Sequence, residues 1–241
     1  DQGVMLALNH TDRYNYWPLQ YELWRTGYER MTLAWVKAKY YENKLLGRFF
    51  DLCNNLPLPS LGYVILKDAY AVLERKMSDD EYRVVRDLAD AKIGQEEALD
   101  KATDDVRHLL TKRRGDFDPS NEGYFEFINR WNDRLMGAVE DRTLEALHEK
   151  KNHVIVFPQG TRSVRLLPAR TGMIQFALRH NVPIVPVGSN GCEKIYPTGN
   201  PWAKGGTVTY RIGQPLTVDN AFAPFRIDEP FKPFTKEARA H

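Results

Sequence analysis

The sequence predicts an α/β fold, a mixed and mainly parallel sheet flanked by helices, with a long helical insertion. Three observations predict it. First, residues 154–157 are a strand-like apolar run, residues 172–180 have a helical pattern, and residues 182–187 are a second apolar run. Strand, turn, helix, strand is a βαβ unit, whose crossover returns the chain to the same end of the sheet and so implies parallel pairing. Second, short apolar runs at 4–8 and 31–36 read as buried strands. Third, residues 70–149 between these groups are mostly helical in pattern.

Taken in order, the run at 4–8 ends at Asn9 and His10. An aromatic, helix-like stretch follows through Trp24 and closes at Gly27. After the strand at 31–36, residues 44–53 read as a short helix. Pro57 and Pro59 keep the segment 54–60 from being helical inside. Residues 62–66 read as another strand. Ser78 and Glu81 have the spacing of a capping box. Pro119 marks a break at 115–123, after which Ile128, Trp131, Leu135, Val139 and Leu147 fall on one helical face. Lys150, Lys151 and Asn152 suit the C-terminus of that helix. Asn181 suits the end of the helix at 172–180, and residues 207–212 alternate as a later strand. The tail from Phe222 onward, rich in Phe and Pro, is expected to lie extended on the surface.

The totals bound the function. A chain of 241 residues with 42% apolar content can bury one sizeable core, so residues 1–241 are expected to form one domain with the insertion at about 70–140. The formal net charge of +2 argues against nucleic-acid binding. Two cysteines are too few for a disulfide framework and fit a reduced cytosolic setting. No apolar run is long enough to span a membrane, and no secretory signal precedes the first motif. The chain enters an apolar strand almost at once, which suggests that a further segment precedes Asp1. Charge is unevenly spread: residues 68–149 hold 21 acidic and 13 basic side chains, whereas residues 157–216 hold seven Lys/Arg and Glu193 alone on the acidic side. A basic segment in a near-neutral chain points to one anionic ligand or to a solvated face.

Two strand-end loops carry the chemistry. His10, at the end of a strand and entering a helix, is placed as a general base. It needs an acceptor on its second ring nitrogen to hold the right tautomer. Residues 157–163, FPQGTRS, form the other loop. Glycine there lets backbone approach a ligand, and the loop amides with Thr161, Arg162 and Ser163 can bind phosphate oxygens.

With these residues in order, the chain resembles the lysophospholipid acyltransferase family, which includes 1-acylglycerol-3-phosphate acyltransferases. That family carries Asn-His followed, after four residues, by Asp, then Phe-Pro-Glu-Gly-Thr-Arg-Ser, then Val-Pro-Ile-Val-Pro-Val. This sequence has Asn9 and His10 with Asn15 at the Asp position, residues 157–163 with only Gln159 changed, and residues 182–187 complete. Arg170 and Gly172 match a Lys-x-Gly pair that follows the third motif. The resemblance covers about 1–67 and 140–218, and implies the glycerolipid acyltransferase-like fold.

The resemblance implies that His10 takes the proton from an acceptor hydroxyl, which then attacks the thioester of acyl-CoA or acyl-carrier protein. The acceptor is a lysophospholipid such as lysophosphatidic acid. Arg162 holds its phosphate, with Gln159, Gly160, Thr161, Ser163, Lys67 and Arg170 around it. Pro183, Ile184 and Pro186 line the acyl-donor groove. No metal, cofactor or covalent intermediate is implied, and the protein is expected at the cytoplasmic face of a membrane, as a peripheral protein of phospholipid biosynthesis. Membrane contact would come through exposed aromatics near Tyr14, Tyr16 and Trp17, through the insertion, or through a preceding segment, although a core role is expected of those aromatics first.

Three departures qualify this. Asn15 offers an acceptor but no charge, with Asp12 as a possible substitute. Gln159 keeps the size of the family's glutamate without its charge. The family's second-motif arginine falls on Ser60, or on Lys67 if an insertion is allowed. Two alternatives therefore stand: a non-catalytic lipid- or acyl-carrier-binding homologue, and an acyltransferase for a non-phosphate acceptor.

Overall fold

A computed structural model describes residues 2–197, 202–226, 229–235 and 238. Its sheet has six strands: β1 (Met5–Leu8), β2 (Thr32–Lys37), β3 (Leu56–Leu58), β4 (His153–Val156), β5 (Ile184–Asn190) and β6 (Thr209–Ile212). Their order is β3-β2-β4-β1-β5-β6. β1 pairs in parallel with β4 and with β5, β2 pairs in parallel with β4, and β6 closes on β5 antiparallel. The sheet is thus mixed and mainly parallel, an α/β fold.

The helices are α1 (Trp17–Arg25), α2 (Lys44–Leu52), α3 (Leu61–Leu73), α4 (Asp79–Ala89), α5 (Gln95–Lys101), α6 (Asp104–Thr111), α7 (Tyr124–Leu144), α8 (Gly172–His180) and α9 (Cys192–Ile195). Pro18 sits in the first turn of α1, where the missing N–H has no intrahelical partner to lose. Asn181 ends α8 in the left-handed conformation at φ 51°.

The chain divides into two compact units. One takes in Asp1–Trp35, Phe49–Leu56 and Glu140–His241, the other Val36–Arg48 and Pro57–Val139. The first holds β1, β4, β5, β6 and most of β2. Met5, Leu8, Val154, Ile155, Val187 and Phe176 form its core, at no more than 3% exposure each. At the start of β4, buried His153 accepts the Val4 N–H on Nδ1 at 3.0 Å, so its neutral form carries the proton on Nε2, 2.5 Å from the Tyr28 hydroxyl. Burial lowers the pKa of this histidine, with Arg30 adding to the effect. The second unit packs α3 to α7 around Val64, Ile65, Leu88, Leu109, Phe117 and Ile128. A bidentate Arg114–Asp68 pair, at 2.9 and 2.5 Å, is buried within it and takes a third hydrogen bond from Tyr124 Oη.

Two expectations are corrected. Residues 62–66 are not a strand but the first turns of α3, started by Ser60, whose hydroxyl accepts the Tyr63 N–H at 3.2 Å. The tail is not simply laid on the surface: Phe222 is buried, and the Phe234 ring packs against Trp35 and Phe176. The tail residues 227–228, 236–237 and 239–241 lie outside the described residues. Tyr16 is 5% exposed and packs on Phe157, which is the core role expected of it ahead of membrane contact.

Candidate active site

The parallel order of β4, β1 and β5 sends their three C-terminal ends to the same side, where open α/β sheets bind ligands. From β1 come Asn9 and His10. From β4 comes the loop 157–163. From β5 come Ser189 and Asn190.

Asn9 locks the first of these ends to the third. Its Nδ2 donates to Ser189 O at 2.9 Å, and its Oδ1 accepts the Ser189 N–H at 2.6 Å. His10 then follows a fixed backbone. Its N–H donates to Gln159 Oε1 at 3.1 Å, and its carbonyl accepts the Ser163 N–H at 2.8 Å. Its ring stacks on Phe157, with centroids 4.1 Å apart. The histidine and the FPQGTRS loop are therefore joined at two main-chain points and one ring face.

Gln159 is 5% exposed and organises the loop. Besides accepting from His10, it donates from Nε2 to Arg165 O at 3.3 Å. Gly160 has φ 66°, a conformation glycine adopts without strain, and the Arg170 side chain lies against it. The Arg170 N–H returns to Pro158 O at 2.7 Å and closes the loop. Ser163 Oγ accepts the Arg165 N–H at 3.1 Å. Thr161, Arg162, Arg165 and Arg170 are exposed, so cationic groups ring a buried hinge.

Asn15 is fully buried. Its Nδ2 donates to Asn9 O at 2.5 Å, and its own carbonyl accepts from Tyr210 Oη at 2.6 Å. Its Oδ1 is buried with no donor among the described residues. Asp12 is also buried, and its carboxylate accepts from the Tyr14 N–H at 2.7 Å and the Thr11 hydroxyl at 2.9 Å. Burial raises the Asp12 pKa despite those two bonds. Both residues thus shape the turn that carries His10.

Pro183, Ile184 and Pro186 do not lie at this mouth. The register sets Ile184 level with Met5 and Val187 level with Leu8, so Ile184 starts β5 three residues before the mouth, with Pro183 just ahead of it. Ile184 is 2% exposed, and Pro186 pairs with Ala7 inside the sheet. Lys67 lies on α3 in the other unit, ion-paired with Glu42 at 3.0 Å. Sequence reasoning missed the Asn9–Ser189 clamp and the Tyr210 hydroxyl. Asn9 stood beside His10 as a signal, but nothing in the pattern paired it with a residue 180 positions on.

Residues 120–190 match the family model described as Acyltransferase. This stretch contains β4, the FPQGTRS loop, α8 and all of β5, and leaves out His10 and Asn15. The chain is 32% identical over 79 residues to a 1-acyl-sn-glycerol-3-phosphate acyltransferase of Limnanthes alba, covering 32% of this chain and 28% of that protein. One from Limnanthes douglasii matches equally. A Cocos nucifera protein of the same name is 32% identical over 77 residues, covering 31% of this chain and 25% of that protein. The matches thus span little more than a quarter of these relatives' length. No solved structure matches the chain. A parallel sheet that brings the motif loops to one mouth, and a family match that contains one of those loops, agree: residues 120–190 are similar to the acyltransferase family, and about a third of the chain is similar to 1-acyl-sn-glycerol-3-phosphate acyltransferases.

Proposed function

We propose that the protein transfers a fatty acyl group from acyl-CoA or acyl-carrier protein to the hydroxyl of lysophosphatidic acid or a related lysophospholipid. It does so as a peripheral protein at the cytoplasmic face of a membrane, where acceptor and acyl chain reside. The observation that carries the reading is the double tie between His10 and the FPQGTRS loop. It supports a base and a phosphate site set side by side. His10 takes the acceptor's hydroxyl proton, and the oxygen attacks the thioester carbonyl. The tetrahedral adduct collapses, the C–S bond breaks, and the thiolate takes the proton back from the imidazolium. Arg162, with the amides of Gly160 and Thr161, holds the acceptor's phosphate. Histidine serves because its ordinary pKa lies near working pH.

The test is acceptor-dependent thiol release from long-chain acyl-CoA, and from acyl-carrier protein, with lysophosphatidic acid in detergent. His10→Ala is expected to lower the rate by about 10²–10⁴-fold. Release that survives in His10→Ala would rule out the base assignment. No release from wild type with either donor would leave a second reading. That reading is a lipid- or carrier-binding homologue, favoured by the amide of Asn15 being turned to the Asn9 carbonyl. Arg162→Ala is expected to weaken phosphate-bearing acceptors most. An acceptor on which it has no effect would favour transfer to a non-phosphate hydroxyl.

A further inference from the structure

The segment 162–170 stands out among the exposed surfaces. Leu166 is 82% exposed, Val164 69% and Leu167 39%, all on one irregular loop. Arg162, Arg165 and Arg170 are interleaved with them and are exposed too. No acidic residue occurs between Glu149 and Glu193. Apolar side chains left in water together, inside a uniformly positive stretch, mark an interaction surface. The loop is also held in shape. Its first part is tied by the Ser163 N–H to His10 O, its middle by Gln159 Nε2 to Arg165 O, and its end by the Arg170 N–H to Pro158 O.

We propose that this loop seats the protein on an anionic lipid bilayer, with Val164, Leu166 and Leu167 entering the headgroup layer and Arg165 meeting a lipid phosphate. The proposal rests on the acyl-transfer reading and gives that site its membrane contact. Charge complementarity selects the occupant. Arginines beside a polyanionic surface add attraction residue by residue, and buried aliphatic side chains add to it. Exposed leucines on a projecting loop suit a fluid, deformable phase that closes around them. The site follows from the same geometry. The carbonyl of His10 is one hydrogen bond from Ser163, so a seated loop holds the base at the surface where a lysophospholipid hydroxyl lies.

The test is sedimentation with vesicles of pure phosphatidylcholine, and of equal parts phosphatidylcholine and phosphatidylglycerol. It uses wild type, the double variant Val164→Ser/Leu166→Ser, and Arg165→Glu. Wild type is expected to prefer the anionic vesicles and to lose that preference as salt rises. Each variant is expected to bind them about tenfold more weakly, with an unchanged melting temperature. Turnover of the Val164→Ser/Leu166→Ser variant on short-chain substrates dissolved without lipid is expected to stay unchanged. As a check independent of folding losses, Leu166→Cys carrying a polarity-sensitive dye should shift to the blue on anionic vesicles. Equal binding to both vesicle types, no dye shift, or full binding by the double variant overturns the proposal. Loss in Arg165→Glu alone also overturns it, because it would show charge attraction to the headgroups with no apolar insertion. Binding is read without catalysis, so absent turnover would count against acyl transfer and leave the seating result intact.

Discussion

Gln159 shows what a single side chain contributes. It faces one donor, the His10 N–H, and one acceptor, the Arg165 carbonyl. Only an amide satisfies both; a carboxylate would set an oxygen against an oxygen in a buried place. Gln159→Glu is therefore expected to destabilise the protein by about 1–3 kcal/mol, read as a lower urea midpoint with unchanged slope. Asn15 follows the same logic, with its NH₂ on Asn9 O. The sequence shows both amides as losses of charge. Their gain, a donor aimed at a main-chain carbonyl, depends on a partner six positions away that no pattern reveals.

Among the elements, α4 was legible because its signal is local. The Ser78 hydroxyl accepts the Glu81 N–H at 3.2 Å, and Glu81 Oε2 accepts the Ser78 N–H at 2.8 Å, as the spacing predicts. Glu81 does more than cap. Arg75 clamps both its oxygens, at 2.9 and 2.7 Å, and holds its pKa down to about 2 from an ordinary 4.5. The folded state thus binds this proton less tightly than the unfolded chain. The stabilisation is present above pH 4.5 and lost as pH falls from 4.5 towards about 2. Glu81→Gln is expected to cost about 1–3 kcal/mol at neutral pH, with the gap from wild type closing over that acid window in urea melts. By contrast, the start of α3 misleads. Residues 62–66 are a short apolar run, and such a run has no period of its own to separate strand from helix. Burial of Val64, Ile65 and Ala69 at helical spacing decides it, and only the packed unit supplies that.

At the level of the whole molecule, the parallel sheet was legible from one βαβ unit, while the second compact unit was not. Its boundary at Pro57 depends on α3 being helical, and its centre depends on Asp68 meeting Arg114 and Tyr124 from distant segments. The guanidinium there also lies over the Phe117 and Phe127 rings, at 4.8 and 5.4 Å. Removing its counter-ion strands a buried cation. Asp68→Asn is expected to destabilise this unit by about 3–5 kcal/mol. Hydrogen exchange should quicken in α3, α6 and α7 while the amides of β1 and β4 stay protected; equal loss in both would show that the two units open together. The central place of β1 carries a consequence for the newborn chain. Its two neighbours, β4 and β5, leave the ribosome about 150 to 180 residues later. At ordinary synthesis rates that is a wait on the order of 10–40 s. Throughout it, the edges of Met5–Leu8 stand open to other chains, while Pro57–Val139 has all its own partners and can close first. The strand that presents His10 is thus the one most in need of a chaperone.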